Sequence, residues 1–223
     1  MIVNTSIATT PLDVPTAILQ RRSIKTFLPK PISSELLKQL VELTIAAPSS
    51  FNLQPWRIVI VQDSQQKVNL CTACWNQEQV TQAPATFVFA ADASVGDADI
   101  KPILDQGSQA GAWNEKTVNY LKNAIPTFQQ SLGAKRREYA IKDAMIASTN
   151  LVLAAESLGL STCFLNGWEE AHVKEVIGVA DNPDIAIAVL VTVGYAAQAR
   201  LNPGRLPLSD NVYVDSMNNP YQS

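Results

Sequence analysis

A loop of hydroxyl and amide side chains between two prolines is the part of this sequence best suited to bind a ligand. Pro48 and Pro55 fix φ and remove backbone donors, so the segment 47–57, called the amide loop below, is expected to be stiff. The polar side chains between the prolines are Ser49, Ser50, Asn52 and Gln54. Because hydroxyls and amides both donate and accept hydrogen bonds, they suit a planar heterocycle rich in carbonyls and ring nitrogens.

A cationic turn lies upstream, where Arg21, Arg22 and Lys25 surround Ser23. Three cations and a hydroxyl within five residues suit a phosphate group, because guanidinium groups bind phosphate oxygens in pairs. The alternative is a solvated helix C-terminus, since residues 14–22 have a helical pattern and cations favour that end. Together, a phosphate site and a loop for a planar ring indicate a mononucleotide-like cofactor.

The elements that must position these residues alternate between helices and strands. A helix predicted over 33–46, capped by Ser33 or Ser34, precedes the amide loop, and a buried strand predicted over 56–62 follows it. Further helices are predicted over 14–22, 64–75, 101–123, 137–158 and 169–177, and further strands over 85–91, 161–165 and 185–194. This alternation favours a layered domain with both α and β structure.

The segment 139–160 is apolar on nearly every side, apart from Asp143 and Glu156. A helix that is apolar all round must be buried all round. We therefore expect a central helix here.

The composition limits the possible functions. A chain of 223 residues with 47% hydrophobic residues can bury its own core, and the length favours one domain over 1–223. A net charge of −3 argues against nucleic acid as a partner. No uncharged apolar run is long enough for a membrane span, and residues 1–12 lack the pattern of a signal peptide. We expect a cytoplasmic protein with no nucleic acid and no membrane as a partner.

Neither the cysteines nor the histidine form a catalytic or metal-binding pattern. Cys71 and Cys74 have redox-pair spacing, but they lie inside a predicted helix rather than at its start. One such pair is also too few ligands for zinc. His172 has no nucleophile motif beside it and is predicted on a surface helix. We expect structural thiols, no metal and no hydrolase chemistry.

The cationic turn and the amide loop together resemble the opening motifs of the FMN-dependent nitroreductase family. The resemblance covers most of the chain, and the two N-terminal motifs are its most specific part. The matching segments are 21–27, 47–56, 76–79 ahead of the strand at 85–91, 159–168, 193–195 and 205–207. The resemblance implies an α+β, nitroreductase-like fold: a central mixed or antiparallel sheet flanked by helices, in an intertwined homodimer with one FMN in each of two interfacial pockets.

The resemblance also implies which residues bind the cofactor. The implied phosphate ligands are Arg21, Ser23, Lys25 and Arg205, with Arg22 contributing through its backbone or side chain. The implied isoalloxazine contacts are Pro48, Ser49, Ser50 and Asn52 from the neighbouring subunit, Asn76 and Gln79 at the pyrimidine edge, and Leu165, Asn166 and Gly167, whose backbone amide would face flavin N5. Gln54 would contact the cofactor and line the substrate face.

The implied activity is that of an FMN oxidoreductase. Hydride from NAD(P)H would pass through flavin N5 to a nitroaromatic, quinone or related acceptor by a ping-pong mechanism, so no catalytic acid–base residue is expected. Relatives often have lysine at the position of Gln79, and a neutral amide there should make the flavin harder to reduce. The alternatives are a non-catalytic protein that binds, stores or senses FMN, and a structural protein.

Two segments are expected to complete the site. Residues 93–130 would form a helical cover over the substrate pocket, or alternatively a surface helix pair. Residues 200–223 would form a C-terminal arm on the other subunit, or alternatively a frayed terminus. Relatives commonly have a second cation where this chain has Pro203, two residues before Arg205. Arg200 would replace that cation if the loop folds back.

Overall fold

A four-stranded antiparallel sheet lies at the centre of the structure, a computed structural model that describes residues 10–97 and 99–222. The strands are β1 (Trp56–Val61), β2 (Ala85–Asp92), β3 (Ser161–Leu165) and β4 (Ile185–Gly194), in the order β1-β2-β4-β3. Each neighbouring pair is antiparallel. Of the two sheet types expected, the antiparallel one is therefore observed for these strands.

Helices pack on both faces of this sheet. The helices of the described residues are α1 (Val14–Gln20), α2 (Ser34–Ile45), α3 (Ser64–Ala73), α4 (Gln79–Gln82), α5 (Lys101–Gln109), α6 (Glu115–Leu132), α7 (Arg136–Ser157), α8 (Glu170–Val176) and α9 (Leu208–Asn211). Short 3-10 turns cover Ser50–Asn52 and Gly133–Lys135. Ser33 caps α2, since its Oγ accepts from the backbone N–H of Leu36 at 3.2 Å. The predicted elements are confirmed to within two residues at each end, with one exception.

The single helix predicted over 101–123 is wrong, because the chain forms two helices there. Helix α5 ends at Gln109, and Gly111 follows with a φ of 71°, a value that glycine adopts without strain. Asn114 then starts α6, where its Oδ1 accepts from the N–H of Thr117 at 2.9 Å. Helix α6 continues through Pro126 to its end at Leu132.

Alternate residues of the central strands face two apolar cores, because successive side chains of a strand point to opposite faces. Phe87 and Phe89 are fully buried in the core that α7 covers. Val88 lies in the other core, with Leu70 of α3 and Val173 of α8. The sheet is therefore a rigid base whose strand ends carry the candidate site.

Helix α7 is the central helix that the sequence predicts. It packs on β2 and β4 and against α1 and α2. Ala144, Ala147 and Leu151 are fully buried on it. The expectation of burial on every side is not met within one chain, since Ile146 is 41% exposed. The small alanine side chains allow the close approach to the sheet, whereas the Ile146 side faces away from it.

The fold bears on the prediction of no membrane span, and only slightly on the prediction of no signal peptide. Among the described residues, no helix combines the length and apolar character that crossing a bilayer requires. The signal-peptide prediction depends on residues 1–12. Of these, residues 1–9 lie outside the described residues. The single-domain division and the cytoplasmic location stay predictions.

Candidate functional site

The amide loop has an unusual backbone conformation. Phe51, Asn52 and Gln54 have φ values of 52°, 55° and 49°, in the left-handed region that side chains disfavour. Each such residue costs about 1–3 kcal/mol, and the conformation persists only where surrounding contacts determine it. Asparagine tolerates this region best, and phenylalanine and glutamine tolerate it less well. Strain of this kind is concentrated at ligand-binding sites.

Contacts from α6 and α7 stabilise this strained conformation. The backbone N–H of Ser50 donates to Oδ2 of Asp143 on α7 at 3.1 Å. The ring of Phe51 packs edge-on against Phe128 of α6, with 5.4 Å between centroids. Phe128 in turn packs against Tyr139, with centroids 5.6 Å apart. The loop is therefore fixed to the helix layer rather than free in solution.

Hydrogen bonds within the loop also orient its side chains. The backbone N–H of Gln54 donates to Oγ of Ser49 at 2.9 Å. The Nε2 of Gln54 lies 3.3 Å from both the backbone oxygen and Oδ1 of Asn52. Ser49, Ser50, Asn52 and Gln54 are each partly exposed. They are thus positioned by the protein while remaining partly exposed, so that a ligand could reach them.

Asp143 is a functional residue that the sequence analysis missed. Its side chain belongs to a residue that is only 8% exposed. Burial raises the pKa of Asp143, while the Ser50 hydrogen bond and the charge of Lys142 act in the opposite direction. A carboxylate within the mainly apolar segment 139–160 was the available signal, because a charge there needs a partner inside the protein.

A second polar surface, the cationic cleft, has a volume of about 430 Å³. It is lined by Arg21, Arg22, Ser23, Arg200, Leu201, Asn202, Pro203 and Arg205. The C-terminal segment therefore folds back, and Arg200 lies in the same cleft as Arg21 despite Pro203. None of the described lining residues is a carboxylate. Four guanidinium groups and a hydroxyl make a donor set that suits an anion.

Strand β3 positions the cationic turn. Ser23 forms an isolated parallel bridge with Thr162, and the N–H of Ile24 donates to the Thr162 oxygen at 2.9 Å. Lys25 lies close enough to β3 to affect Cys163. Burial raises the pKa of the Cys163 thiol, and the charges of Lys25, Arg200 and Arg21 oppose that rise. These three cations therefore surround one end of β3.

The alternative role for the cationic turn, a cation at a helix C-terminus, applies to Arg22. Nη1 of Arg22 donates to the backbone oxygens of Leu19 and Arg21, at 2.8 Å each. Its side chain thus caps α1, where a cation also opposes the negative end of the helix dipole. Glu156 of α7 lies nearby; burial raises its pKa, and the charges of Arg21 and Arg22 lower it. Arg22 therefore has a structural role at this helix end.

A third group of predicted residues lies where the turn after α3 meets the end of β3. Nε2 of Gln77 donates to the Gly167 oxygen at 2.7 Å. Nε2 of Gln79 donates to Oε1 of Gln77 at 3.0 Å, and Gln79 is only 7% exposed. Asn76 is exposed, with a φ of 57°. The structure therefore connects Gln79 to Gly167 through Gln77. Sequence reasoning quoted Gln77 within the segment 76–79 but did not select it.

The neighbours of this group differ in what they can offer a ligand. The Leu165 side chain is 1% exposed, so mainly its backbone is available. Asn166 is exposed. A Cβ on Gly167 would lie 2.7 Å from the Trp75 ring, so a larger residue would require that exposed ring to shift. The close approach of the two segments depends on that missing side chain.

A further cavity of about 520 Å³ lies between the amide loop and α5. It is lined by Ile45, Leu53, Gln54, Trp56, Arg57, Val95, Asp99, Pro102, Ile103 and Gln106. The described residues that line it and those that line the cationic cleft are different sets. Within one chain, then, the amide loop and the cationic cleft contribute to separate cavities.

The cysteines and the histidine have the surroundings that the sequence predicts. Cys71, Cys74 and Cys163 are free thiols. Cys74 follows the last residue of α3, and burial raises its pKa to about 12. These thiols are therefore protonated at neutral pH, unlike reactive ones. His172 is exposed on α8.

The fold and the site define an α+β protein with a cleft lined by arginines and a stabilised polar loop beside an antiparallel sheet. The chain belongs to the nitroreductase family, whose sequence model matches residues 18–195. This confirms the family that the two N-terminal motifs resemble.

Several known proteins are similar to this chain over most of its length. A protein of Thermus thermophilus named NADH dehydrogenase is 34% identical over 88% of this chain and 93% of its own length. Protein DrgA of Synechocystis is 33% identical over 88% and 93%. A structure from Exiguobacterium sibiricum, assigned as a nitroreductase and solved in complex with FMN, has a TM-score of 0.82 and 25% identity, covering 93% of this chain and 100% of that one.

Proposed function

We propose that this protein is an FMN-dependent oxidoreductase that transfers hydride from NADH or NADPH to nitroaromatic, quinone or related acceptors. The observation that carries the proposal is the cationic cleft, in which arginines from two distant segments surround Ser23. Cations and a hydroxyl without a carboxylate in the lining suit a phosphate monoester. The FMN in the related Exiguobacterium structure supports the same ligand.

The residues present fit FMN in their chemistry. The phosphate would be bound by Arg21, Ser23, Lys25 and Arg205. Arg200 would replace the second cation that relatives have at the position of Pro203. Ser49, Ser50 and Asn52, with Pro48, would contact the ring system, and Asn76 and Gln79 would meet its pyrimidine edge beside the Leu165–Gly167 backbone. The partly exposed amides and hydroxyls of the loop supply the donors and acceptors that such a ring requires.

A second copy of the chain would bring the amide loop to the cationic cleft. The two surfaces line separate cavities in one chain, so we propose that each cofactor lies between two subunits. Exposed apolar side chains support a homodimer, because contiguous exposed apolar surface marks an interaction site. On the C-terminal arm these include Leu201, Leu206, Leu208 and Met217, which are 95%, 64%, 54% and 79% exposed.

The proposed reaction needs no acid–base residue of the chain. When bound, FMN accepts a hydride from a nicotinamide and passes it to a second substrate. The chain's own residues position both partners: the cationic cleft fixes one end of the cofactor, and the amide loop fixes its ring. Gln54 and Ile103, which both line the 520 Å³ cavity, would contact the acceptor. Helix α5 would exclude water from that side, as the proposed helical cover.

Purified protein tests this proposal. We expect a yellow preparation that contains FMN, whose absorbance is bleached by NADH or NADPH without oxygen and restored by a nitroaromatic. FMN that no nicotinamide nucleotide reduces would instead support a binding or storage protein. A colourless protein without affinity for added FMN would contradict the proposal.

A further inference from the structure

We propose that Gln77 is a positioning residue that fixes the orientation of the Gln79 amide at the pyrimidine edge of the flavin. This fixed orientation raises the reduction potential of the flavin. This inference rests on the proposed function, because it assigns a role toward FMN.

The two carbonyl oxygens around Gln77 determine the orientation of its amide. Nε2 donates to the oxygen of Cys74 at 3.1 Å and to that of Gly167 at 2.7 Å. A primary amide nitrogen has two protons, so both are used. The reversed amide would place Oε1 against two acceptors and lose both bonds. The choice between oxygen and nitrogen therefore follows from the network itself.

The orientation of Gln77 determines that of Gln79. Once its nitrogen faces the two carbonyls, Gln77 has only Oε1 left, and Oε1 accepts from Nε2 of Gln79 at 3.0 Å. Gln79 cannot reverse without placing two oxygens together. It keeps one N–H and its own Oε1 for a ligand. Because Gln79 is 7% exposed, little water competes for these groups.

The backbone around Gln77 shows why this residue, rather than a neighbour, has the role. Trp75 and Asn76 have φ values of 55° and 57°, so the turn is strained on two successive residues. The bond to Gly167 connects this turn to the end of β3. A Cβ on Gly167 would lie 3.3 Å from Nε2 of Gln77, so the two segments are in close contact. Gln77 thus joins the two segments proposed to contact the flavin.

A fixed N–H donor favours the reduced flavin, because reduction adds negative charge to the pyrimidine side of the ring system. Replacing Gln77 with glutamate keeps the size but removes both protons and adds a negative charge. The two carbonyls then face a carboxylate, which still accepts from Gln79, so this variant adds a charge beside the flavin without releasing Gln79. Gln77→Met removes both the donor and the acceptor without adding a charge, so it tests the orienting contact alone. A role limited to capping α3 would change stability but not the potential.

The test compares the holoprotein with Gln77→Glu, Gln77→Met and a matched control, Gln65→Glu, at an exposed position of α3. The measured quantities are the FMN dissociation constant and the two-electron reduction potential, by equilibration with a reference dye. We expect Gln77→Glu to weaken binding of reduced FMN at least tenfold relative to oxidised FMN, a fall of about 30 mV. Gln77→Met should lower the potential less and weaken FMN binding several-fold, and Gln65→Glu should match wild type.

The outcomes separate this inference from the proposed function. Wild-type protein that binds no FMN would overturn both. FMN bound by wild type and by Gln77→Met at the same potential would overturn the role of Gln77 alone, whatever the added charge of Gln77→Glu does to the potential. If Gln77→Glu retains no FMN, Gln77→Met decides: a lower potential supports the role, and wild-type affinity and potential overturn it.

Discussion

The amide loop and the cationic cleft differ in what fixes their polar groups. The loop is partly buried, has three left-handed residues, and bonds to Asp143 and packs on Phe128. In the cleft, Arg200 and Arg205 are exposed on a C-terminal arm whose described residues are exposed except Pro220. Nη1 of Arg205 donates only to the adjacent Gly204 oxygen, at 2.7 Å.

The two halves of the site therefore differ in when their side chains become ordered. The loop is organised by its own chain before a ligand arrives, and part of the folding free energy is used to stabilise its strain. The arginines of the cleft lose side-chain freedom when they bind, which costs about 0.5–1.5 kcal/mol for each immobilised side chain. Loop variants should therefore alter stability and binding, and variants of the exposed arginines Arg200 and Arg205 should alter binding alone.

The largest expected effect is on FMN affinity in the cleft. Arg205→Ala removes a charge-assisted hydrogen bond of about 1.5–3 kcal/mol, so the dissociation constant of FMN should rise about 10- to 100-fold. The melting temperature of the FMN-free protein should stay unchanged. Titration calorimetry and thermal denaturation measure the two quantities. Lys38→Ala is the control, since Lys38 is an exposed cation paired with Glu42 on α2. Loss of stability equal to the loss of binding would contradict a ligand-ordered cleft.

The loop gives the next effect, this time on stability. Asp143→Ala leaves the Ser50 N–H without its acceptor, which should lower the free energy of unfolding by about 1–3 kcal/mol. FMN affinity should fall as well, because the strained loop loses a contact that determines it. Denaturant unfolding of the FMN-free protein measures the first quantity. Asp143→Asn keeps the size and an acceptor oxygen, so it should lose far less. An alanine variant as stable as wild type would show that Asp143 does not hold the loop.

A smaller effect of opposite sign is expected at Gln54. Glycine adopts a φ of 49° without strain, so Gln54→Gly should raise the free energy of unfolding by about 0.5–1 kcal/mol. Turnover of the acceptor should nevertheless fall, because the amide is lost. Gln198→Gly is the matched control, at an exposed position outside the left-handed region, and should not stabilise the protein. A destabilised Gln54→Gly would contradict the assignment of strain.

The smallest effect concerns pH. Burial raises the pKa of Asp143, so its ionised form is disfavoured in the folded chain. The resulting penalty is complete above the folded pKa, and it disappears as the pH falls through that value toward the unfolded pKa of about 4. The free energy of unfolding of Asp143→Asn minus that of wild type should therefore fall as the pH is lowered from neutral. Denaturant unfolding of both proteins across this range measures the difference, and a difference that rises on acidification would refute the sign.

The sequence was sufficient for the strands, whereas the site residues that it selects stay predictions. Strand β2 is buried along nearly all its length and has no competing pattern, so its limits follow from hydrophobicity. The boundary at Gly111 was missed because residues on either side both have helical propensity. Two features of the amide loop depend on tertiary contacts that no local pattern encodes. They are the left-handed conformation of Phe51 and the hydrogen bond from Ser50 to Asp143, 93 residues further along the chain. The same holds for Arg200, whose place in the cleft depends on the path of a loop.

A mixed dimer tests most directly whether the cationic cleft and the amide loop belong to one site. One subunit carries Arg21→Ala and Arg205→Ala, the other carries Ser50→Ala and Asn52→Ala, and two affinity tags isolate the mixed species. If each cofactor lies between the cleft of one subunit and the loop of the other, the mixed dimer contains one intact site and should bind half as much FMN as wild type, although each variant homodimer binds almost none. If the mixed dimer binds no more FMN than those homodimers, the two surfaces do not meet across subunits and the account is wrong.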